Sequence, residues 1–479
     1  MPPFHDSRPD ALTGAILAVE GIRDAAVLLN GPTGCKFFHG AVAEGQLPRE
    51  SSYDPLRFID EFYFGQPRVP STYLDGDDYV FGAAEKLRRI LPVVAGKGHR
   101  LIAVVNTPGA ALIGDDLERF VRAADLDVPC VSIESTGYSG TMEDGFQEAV
   151  VRVLEVLLGR SEHAGPSEGA EDAEPSDHAG TSAQAGSPER AGPVEHADPT
   201  QHAGTSESVE PSQPSVALVG VSLFQRFWEG DVAELRRLLG LCGVRTAAVV
   251  CAGSTVADLR RLGRAHVGAV VHEDLADQLV PWLSEHAGLR IVRTGDRPPA
   301  GLPGTPIGFD GTEGWIRAVC ASVGADPAPA VAAVDEARRR AAMHIKRFNS
   351  LTGLPKGATF SVQAPASVAR PLTTWLHDYL GMIPVDDGRE ESAVPAGLIA
   401  AVGTEGTASG PVADVPAADV VLADGATIAR LRAAGSTAAG VEIALPSGGR
   451  IDVVPRCLLG AQGALFLLES VLNALDHDR

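Results

Sequence analysis

Aromatic residues are scarce in this chain of 479 residues, at 5%, whereas hydrophobic residues make up 44% of it. Such a composition favours parallel strands covered by helices and disfavours an aromatic-rich β sandwich. No apolar run approaches the roughly 20 residues that a bilayer-spanning helix needs. Positive charge is also in deficit: 40 Lys and Arg stand against 62 Asp and Glu, and the net charge of −22 disfavours nucleic acid and anionic membranes as partners.

Cysteine is limited to six positions, 35, 130, 242, 251, 320 and 457, without a CxxC spacing. So few cysteines in so long a chain do not indicate a disulfide scaffold. The first ten residues carry acids and prolines where a signal peptide would have a basic end and an apolar run. We therefore expect a soluble, cytoplasmic protein. Neither a GxGxxG at a strand end nor a Walker-type loop is present, so a nicotinamide cofactor and ATP are not indicated.

The chain divides into four segments by composition. Residues 160–214 are rich in Ala, Gly, Pro, Ser, Glu and His and nearly lack large apolar side chains, so burial cannot offset the entropy of ordering them. We interpret them as a disordered acidic linker, although their repeated His-Ala-Gly triplets are also compatible with weak metal binding. Elsewhere strand-like runs alternate with helical patterns. They predict an α/β protein with three Rossmann-like domains built on parallel β-sheets, at 1–159, 215–328 and 329–479.

The clearest elements in these domains are short apolar runs and amphipathic segments. The predicted strands are Ala25–Leu29, Arg100–Val105, Val128–Ile133, Ser215–Val221, Thr246–Val250, Ala269–His272, Thr359–Val362, Leu398–Val402 and Val420–Ala423. The predicted helices are Asp116–Ala124, Met142–Leu158, Asp231–Leu241, Leu275–His286, Ala330–Phe348, Val368–Leu380, Ala426–Ala434 and Gly463–Leu475.

A glycine-rich turn carrying a cysteine follows the first predicted strand, with the sequence Asn-Gly-Pro-Thr-Gly-Cys at 30–35. Ligands of open α/β sheets bind at such strand ends. Gly31, Pro32 and Gly34 shape a tight turn that can bring backbone and a thiolate close to a bulky inorganic cofactor. Cys35 is therefore a candidate iron ligand. By composition alone, a buried structural cysteine remains the alternative.

The segment from Glu20 to Cys35 resembles the start of nitrogenase component 1 subunits, in which a Gly-Pro-x-Gly-Cys turn supplies a ligand to a cluster at the subunit interface. Further segments are similar to that family. They are Phe81-Gly82 with Lys86-Leu87, the Leu-Ile-Gly-Asp-Asp loop at 112–116, the glycine segment 135–140, and the runs 252–255, 306–308 and 460–464.

This resemblance implies a nitrogenase component 1-like fold and an iron–sulfur cluster of the [4Fe–4S] kind, shared at a subunit interface through Cys35. It implies a paralogous nitrogenase-like subunit, or a second copy of this chain, as partner. It also implies an ATP-dependent iron–sulfur reductase as the source of low-potential electrons. The chain would then be a reductase subunit that passes those electrons to an unidentified small molecule.

Several positions depart from the family pattern. Of three cluster cysteines in the family, the sequence retains Cys35, while the other two positions fall at Pro9 and Pro108. The cysteine that holds the catalytic cofactor in the family is replaced by His272, which could bind a cofactor or metal or cap the helix that follows. His39 is a substitute ligand on chemical grounds.

Three other polar residues have structural interpretations. Asp115 and Asp116 precede an apolar helix and are interpreted as its caps rather than as a catalytic pair. Cys251, at a strand end, is interpreted as a core thiol.

The missing ligands leave two other functions open. The chain could be a non-catalytic scaffold for metal-cofactor assembly, or a partner subunit without its own cluster. It could also be a small-molecule binding protein that uses the cleft between α/β domains, with a structural Cys35.

Overall fold

The structure, a computed structural model, describes residues 9–48, 68–134, 140–159, 213–293, 304–385, 418–448 and 452–477. The predicted linker, 160–214, lies outside the described residues except for its last two. The predicted strand Leu398–Val402 and most of the glycine segment 135–140 also lie outside them. Within these ranges, no helix has both the length and the apolar character that crossing a bilayer requires.

Strands and helices alternate along the described ranges. The strands are β1 (Ala25–Asn30), β2 (Leu101–Asn106), β3 (Cys130–Ile133), β4 (Ser215–Val219), β5 (Arg245–Val249), β6 (Val267–Val270), β7 (Arg290–Val292), β8 (Thr359–Val362), β9 (Ile383–Pro384), β10 (Val420–Asp424) and β11 (Ala439–Ala444).

The α-helices in the same ranges vary from one turn to seven turns in length. They are α1 (Ala11–Glu20), α2 (Phe37–Gln46), α3 (Asp78–Phe81), α4 (Ala84–Ala95), α5 (Pro108–Ala111), α6 (Leu117–Ala123), α7 (Met142–Leu158), α8 (Trp228–Leu241), α9 (Val256–Arg260), α10 (Leu279–His286), α11 (Gly308–Val323), α12 (Ala328–Thr352), α13 (Ala366–Leu380), α14 (Gly425–Ala433) and α15 (Gly460–His477).

The strands form three parallel sheets, and the second and third sheets share one strand order. The second sheet runs β5-β4-β6-β7 and the third runs β11-β10-β8-β9, so in each the first and third strands of the set lie side by side. The first sheet runs β1-β2-β3, and a parallel bridge from Ser71 to Leu29 adds a short contact on the free side of β1. In the second and third sheets the chain winds outward in both directions from these two central strands, so a crevice opens at the carboxyl ends of the central strands.

Burial on both faces explains why these strands are apolar throughout. All six residues of β1 and all six of β2 are buried, as expected for parallel strands covered by helices on each side. The predicted α/β class with three parallel sheets is therefore confirmed. The proposed domain boundaries at 159, 214 and 328 remain predictions.

Two glycines let α1 and α7 cross with their backbones in contact. A Cβ added at Gly14 would lie 1.9 Å from the carbonyl oxygen of Met142, and one at Gly145 would lie 1.9 Å from that of Ala11. All ten residues of α1 are buried. This crossing places the amino terminus of α7 beside the start of α1, where Asp10 and Thr141 form a β-bridge.

Two of the segments that resemble the family meet in space. The carbonyl oxygen of Cys251 lies 1.9 Å from where a Cβ of Gly21 would be, and the Gly253 amide donates to the Gly21 carbonyl at 2.7 Å. The Asp24 carboxylate accepts from the Val256 amide at 2.8 Å. These contacts join the first sheet to the second, and one hydrophobic core extends across both. Cys251 is fully buried, as predicted.

Candidate functional site

The carboxyl ends of β1 and β2 are held together by buried polar side chains. The Asn30 amide donates to Asn106 Oδ1 at 2.9 Å, and the Thr72 hydroxyl donates to Asn30 Oδ1 at the same distance. The Gly31 amide in turn donates to the Thr72 hydroxyl at 3.0 Å. A Cβ on Gly31 would lie 2.3 Å from the Thr107 methyl carbon, so the turn can approach β2 this closely because residue 31 is glycine.

Cys35 lies one turn further on, in a 3-10 helix that spans Thr33–Lys36. Its thiol is half-buried, and burial followed by the negative charge of Asp10 raises the pKa of that thiol. Gly34 has open space where a side chain would be. The turn therefore presents its second glycine outward and keeps Cys35 partly accessible.

A short hydrogen-bonded chain connects Cys35 to Asp10. His39 Nδ1 lies 2.6 Å from the Cys35 carbonyl oxygen, and His39 Nε2 lies 3.1 Å from the Thr13 hydroxyl. That hydroxyl is 2.9 Å from Asp10 Oδ1. Burial lowers the pKa of His39, which favours the neutral ring. Asp10 directly follows Pro9, the position of the family's upstream cysteine, so that position does lie near Cys35.

The described side chains around Cys35 do not complete a four-ligand cluster. Pro108, at the position of the third family cysteine, is the first residue of α5, which Thr107 caps. No three His, Cys, Asp or Glu side chains in the described ranges are grouped so that they could hold a metal ion. A [4Fe–4S] cluster takes four ligands. The described residues of one chain could therefore supply only a minority of the ligands of such a cluster.

Exposed apolar side chains occur on the segments that follow β1 and β2. Phe37 is 65% exposed directly after the Cys35 turn, Phe81 is 85% exposed at the end of α3, and Leu112 is 75% exposed at the end of α5. The Tyr79 hydroxyl lies 3.0 Å from where a Cβ of Gly109 would be, which ties α3 to α5. Exposed aromatic and aliphatic side chains of this kind are typical of protein interfaces.

A cleft of about 1410 Å³ lies at the crevices of the second and third sheets. It is lined by the segments that follow the central strands β4, β6, β8 and β10, at 224–227, 272–278, 363–368 and 424–427. The start of α7, at 141–144, forms a further wall. The strand order of both sheets predicts a ligand site at these positions, and Cys35 is not part of the lining.

His272 lies in this cleft and reaches toward the third sheet. It is 2% exposed, and its Nδ1 lies 3.2 Å from the Ser367 hydroxyl. Burial lowers the pKa of His272 to about 3, so the ring is neutral and retains a lone pair. His272 takes the N-cap position of the short 3-10 helix Glu273–Leu275, in line with its interpretation as a helix cap, but its side chain makes no capping hydrogen bond. The predicted helix after it also begins later, at Leu279.

Asp274 and Glu143 form the acidic wall beside His272. The Ser367 amide at the start of α13 donates to Asp274 Oδ2 at 2.8 Å. Burial, and then the charges of Asp274 and Asp144, raise the pKa of Glu143. A carboxyl group with a raised pKa can retain a proton nearer to neutral pH.

Four arginines supply the positive charge of the cleft, Arg226, Arg293, Arg370 and Arg430. Arg226 is buried and pairs with Glu442 and with Asp452, the latter at 2.8 Å. Arg430 donates to the Thr427 hydroxyl at 2.9 Å, near the amino terminus of α14. No local sequence motif marks these four arginines as site residues. A search of the residues after every predicted strand would have found Asp274 and Ser367, but not Arg226 or Arg430.

The two aspartates of the Leu-Ile-Gly-Asp-Asp loop have different roles. Asp116 caps α6 as predicted, with its carboxylate accepting from the Arg119 amide at 2.9 Å. The prediction for Asp115 is wrong, since its carboxylate accepts from the Ala83 amide at 2.7 Å, at the start of α4. Asp115 thus connects two of the family-like segments, at 81–87 and 112–116.

The class is defined by three parallel sheets, with the Cys35 turn after the first strand of the first sheet and the cleft at the crevices of the other two. Residues 11–391 match the family of nitrogenase component 1 type oxidoreductases, and the chain belongs to that family. A solved structure of nitrogenase Cp1 at pH 6.5 shares the fold, with a TM-score of 0.64 over 98% of this chain and 92% of that chain at 15% identity.

Curated relatives with similar sequences are subunits B of light-independent protochlorophyllide reductase. The one from Rhodospirillum rubrum is 27% identical over 296 residues, 60% of this chain and 44% of the relative. The one from a Synechococcus strain is 24% identical over 302 residues, 63% of this chain and 49% of the relative. The chain thus spans less than half the length of these relatives.

Proposed function

We propose that this chain is a subunit of a nitrogenase-like reductase that receives low-potential electrons from an ATP-dependent iron–sulfur reductase and delivers them to a small molecule bound in the cleft. The observation that carries the proposal is the position of the cleft. It lies where strand order reverses in two neighbouring sheets, the usual ligand site of such folds. The family is one of oxidoreductases, and we place the reaction in the cytoplasm.

We further propose that the substrate is a tetrapyrrole with carboxylate groups. The cleft, at about 1410 Å³, exceeds the roughly 300–1,000 Å³ of most small-molecule sites. Its lining joins apolar side chains such as Phe224, Leu275 and Phe360 to the guanidinium groups of Arg370 and Arg430. An apolar macrocycle edged with carboxylates matches this mixture. The curated relatives are named for the reduction of protochlorophyllide, a molecule of this class.

For the cofactor, we propose that Cys35 is one ligand of an iron–sulfur cluster completed by a partner subunit. Such a cluster supplies storage and transfer of single electrons at low potential. The partly accessible thiol, the outward Gly34 and the exposed Phe37 support a site at an interface. Cys35 of this chain would hold one edge of the iron–sulfur cluster. Gly31 and Pro32 shape the turn that positions Cys35. The partner is a paralogous subunit or a second copy of the chain.

Binding of protochlorophyllide by the purified chain, alone and with its partner, tests the substrate proposal. Arg430→Ala removes a guanidinium that lines the cleft, whereas Arg432→Ala removes an exposed one from the same helix, outside the cleft. We expect absorbance titrations to show at least about tenfold weaker binding for Arg430→Ala, since a charge-assisted pair contributes about 1.5–3 kcal/mol. The Arg432→Ala variant should bind as the wild type does. No binding by any form, or equal loss in both variants, would contradict the proposal.

The second candidate function is a non-catalytic scaffold for metal-cofactor assembly. It is favoured by the small donor set, which in the described ranges holds no group of three metal-ligating side chains. The scaffold and the reductase subunit differ in whether they turn over protochlorophyllide. A scaffold would bind its cargo in the cleft without consuming electrons when a reduced iron–sulfur donor and ATP are supplied, whereas a reductase subunit would convert protochlorophyllide together with its partner.

A further inference from the structure

The ring of His272 uses one of its two nitrogens in bonds to the described residues. His272 lines the cleft and is 2% exposed. Its Nδ1 lies 3.2 Å from the Ser367 hydroxyl, whereas Nε2 has no hydrogen-bond partner among the residues that the structure describes. Because a hydroxyl can accept as well as donate, Nδ1 can carry the proton and bond to Ser367, which leaves the lone pair on Nε2. A buried ring nitrogen in a cleft wall is then available to a ligand.

We propose that Nε2 of His272 is the axial ligand of the metal ion at the centre of a metallated tetrapyrrole bound in the cleft. The inference rests on the proposed tetrapyrrole substrate and narrows it to the metallated form. The bond forms from the Nε2 lone pair to the metal, a water leaves that face of the ring, and no electron is transferred. The neutral imidazole nitrogen is the commonest metal ligand in proteins.

The donor set of the cleft fits a metal ion that arrives with most of its ligands. In the described ranges, no three His, Cys, Asp or Glu side chains are grouped so that they could hold a metal ion. A bare ion would therefore find too few ligands at His272. The metal of a tetrapyrrole keeps the nitrogens of its macrocycle and takes its axial ligand from the protein, as haem iron does from a histidine. One histidine is a sufficient donor for this class of substrate.

The surroundings of His272 hold its ring in the form that a metal requires. Burial lowers the pKa of His272 to about 3, so no proton has to leave the ring at neutral pH before a metal binds. Ser367 is itself fixed, because its backbone amide donates to Asp274 Oδ2 at 2.8 Å at the start of α13. A hydrogen bond from the second ring nitrogen is the usual means by which a metal-binding histidine is oriented.

His272 and two arginines of the cleft come from different sheets. His272 follows β6 of the second sheet, whereas Arg370 and Arg430 lie on α13 and α14, which belong to the third. A planar macrocycle between these walls would present its metal to His272 on one ring face. Its carboxylates, at the ring edge, would be left for the guanidinium groups. The axial ligand and the carboxylate ligands therefore do not compete for one position.

Two porphyrins that differ only in the metal test the inference: zinc protoporphyrin IX and metal-free protoporphyrin IX. Each would be titrated by absorbance into the purified chain, alone and with its partner. We expect the wild type to bind the zinc form at least about tenfold more tightly, with a red shift of its main absorption band. His272→Ala should lose that preference and that shift, regain the shift when imidazole is added, and bind the metal-free form as the wild type does.

His266→Ala is the matched control. The Nδ1 of His266 lies 3.0 Å from the Ser215 hydroxyl, a similar pairing, but His266 is exposed and does not line the cleft. This variant should keep the preference for the zinc form. Binding of metal-free porphyrin shows that a variant is folded. If His272→Ala fails that check, His272→Asn, which keeps a polar group beside Ser367, replaces it.

The outcomes separate this inference from the substrate proposal. Equal affinity of the wild type for both porphyrins, or a zinc preference that survives in the His272 variants, would overturn the axial ligand and leave the tetrapyrrole substrate in place. Loss of the preference in His266→Ala would overturn it too, because the zinc would then be held by a histidine outside the cleft. No binding of either porphyrin would contradict the tetrapyrrole substrate, and this inference with it.

Discussion

At the scale of single residues, Gly31 and Gly34 share one turn but differ in what surrounds them. A Cβ at Gly31 would lie 2.3 Å from the Thr107 side chain, whereas nothing lies within 4 Å of one at Gly34. We expect Gly31→Ala to lower the free energy of unfolding by about 1–3 kcal/mol through overpacking. Gly34→Ala should change it by less than about 0.5 kcal/mol. Urea unfolding measures both, and similar losses in the two variants would show that the turn is described wrongly.

Asp231 should give the stability of the protein a distinctive pH dependence. Burial raises the pKa of this carboxyl from 3.8 to about 7, although it accepts from the Leu458 and Leu459 amides at 2.6 and 2.8 Å. Between these two pKa values the folded state holds a proton that the unfolded chain releases, so the free energy of unfolding falls as the pH rises. Asp231→Asn keeps an acceptor oxygen and does not titrate.

The free energy of unfolding of the wild type, relative to Asp231→Asn, should therefore fall by up to about 4 kcal/mol from about pH 4 to about pH 7. Urea unfolding at several pH values measures the difference between the two proteins, which cancels the groups they share. Parallel pH curves would mean that the Asp231 carboxyl is already ionised at low pH in the folded protein.

At the scale of elements, the crossing of α1 and α7 depends on direct backbone contact. The added Cβ of Gly145→Ala would meet a carbonyl oxygen at 1.9 Å, which cannot move without shifting α1. We expect a loss of at least about 3 kcal/mol in the free energy of unfolding. Gly159→Ala, at the exposed end of the same helix with nothing within 4 Å, is the matched control and should be nearly neutral. A stable Gly145→Ala variant would contradict this packing.

The same elements show what the sequence can and cannot predict. The bounds of α7 were predicted residue for residue, and β8 likewise, because an amphipathic period and a short apolar run are local signals. Helix α1 was missed because it is buried on all sides and has no polar face to mark its period. In the site, the turn at Cys35 is local and was found. The cleft joins residues from two sheets, so Arg226 and Arg430 could not be recognised before the chain was folded.

At the scale of the whole molecule, the linker remains a prediction that proteolysis can test. Residues 160–214 are rich in glutamate and poor in apolar side chains, so a glutamate-specific protease should cut there first. The two fragments should elute together, because one hydrophobic core includes residues from both sides of the linker. First cuts in another segment, or fragments that separate in native buffer, would contradict the proposed division.

The second and third sheets share one strand order, whereas the first sheet has three strands in chain order. That shared order opens a crevice in each of these two sheets, where the cleft lies, whereas the Cys35 turn follows β1 of the first sheet. The family membership fits this architecture. Because the described residues hold no group of three metal-ligating side chains, a cluster bound by Cys35 would need ligands from a partner.

The most direct test is the iron and acid-labile sulfide content, with electron paramagnetic resonance, of the chain purified without oxygen together with its candidate partner subunit. The same preparation with Cys35→Ala is the comparison. The account predicts about four irons per pair in the wild type and their loss in the variant, while the two chains still fold. No iron in either preparation, or the same iron content in both, would contradict a shared cluster held by Cys35.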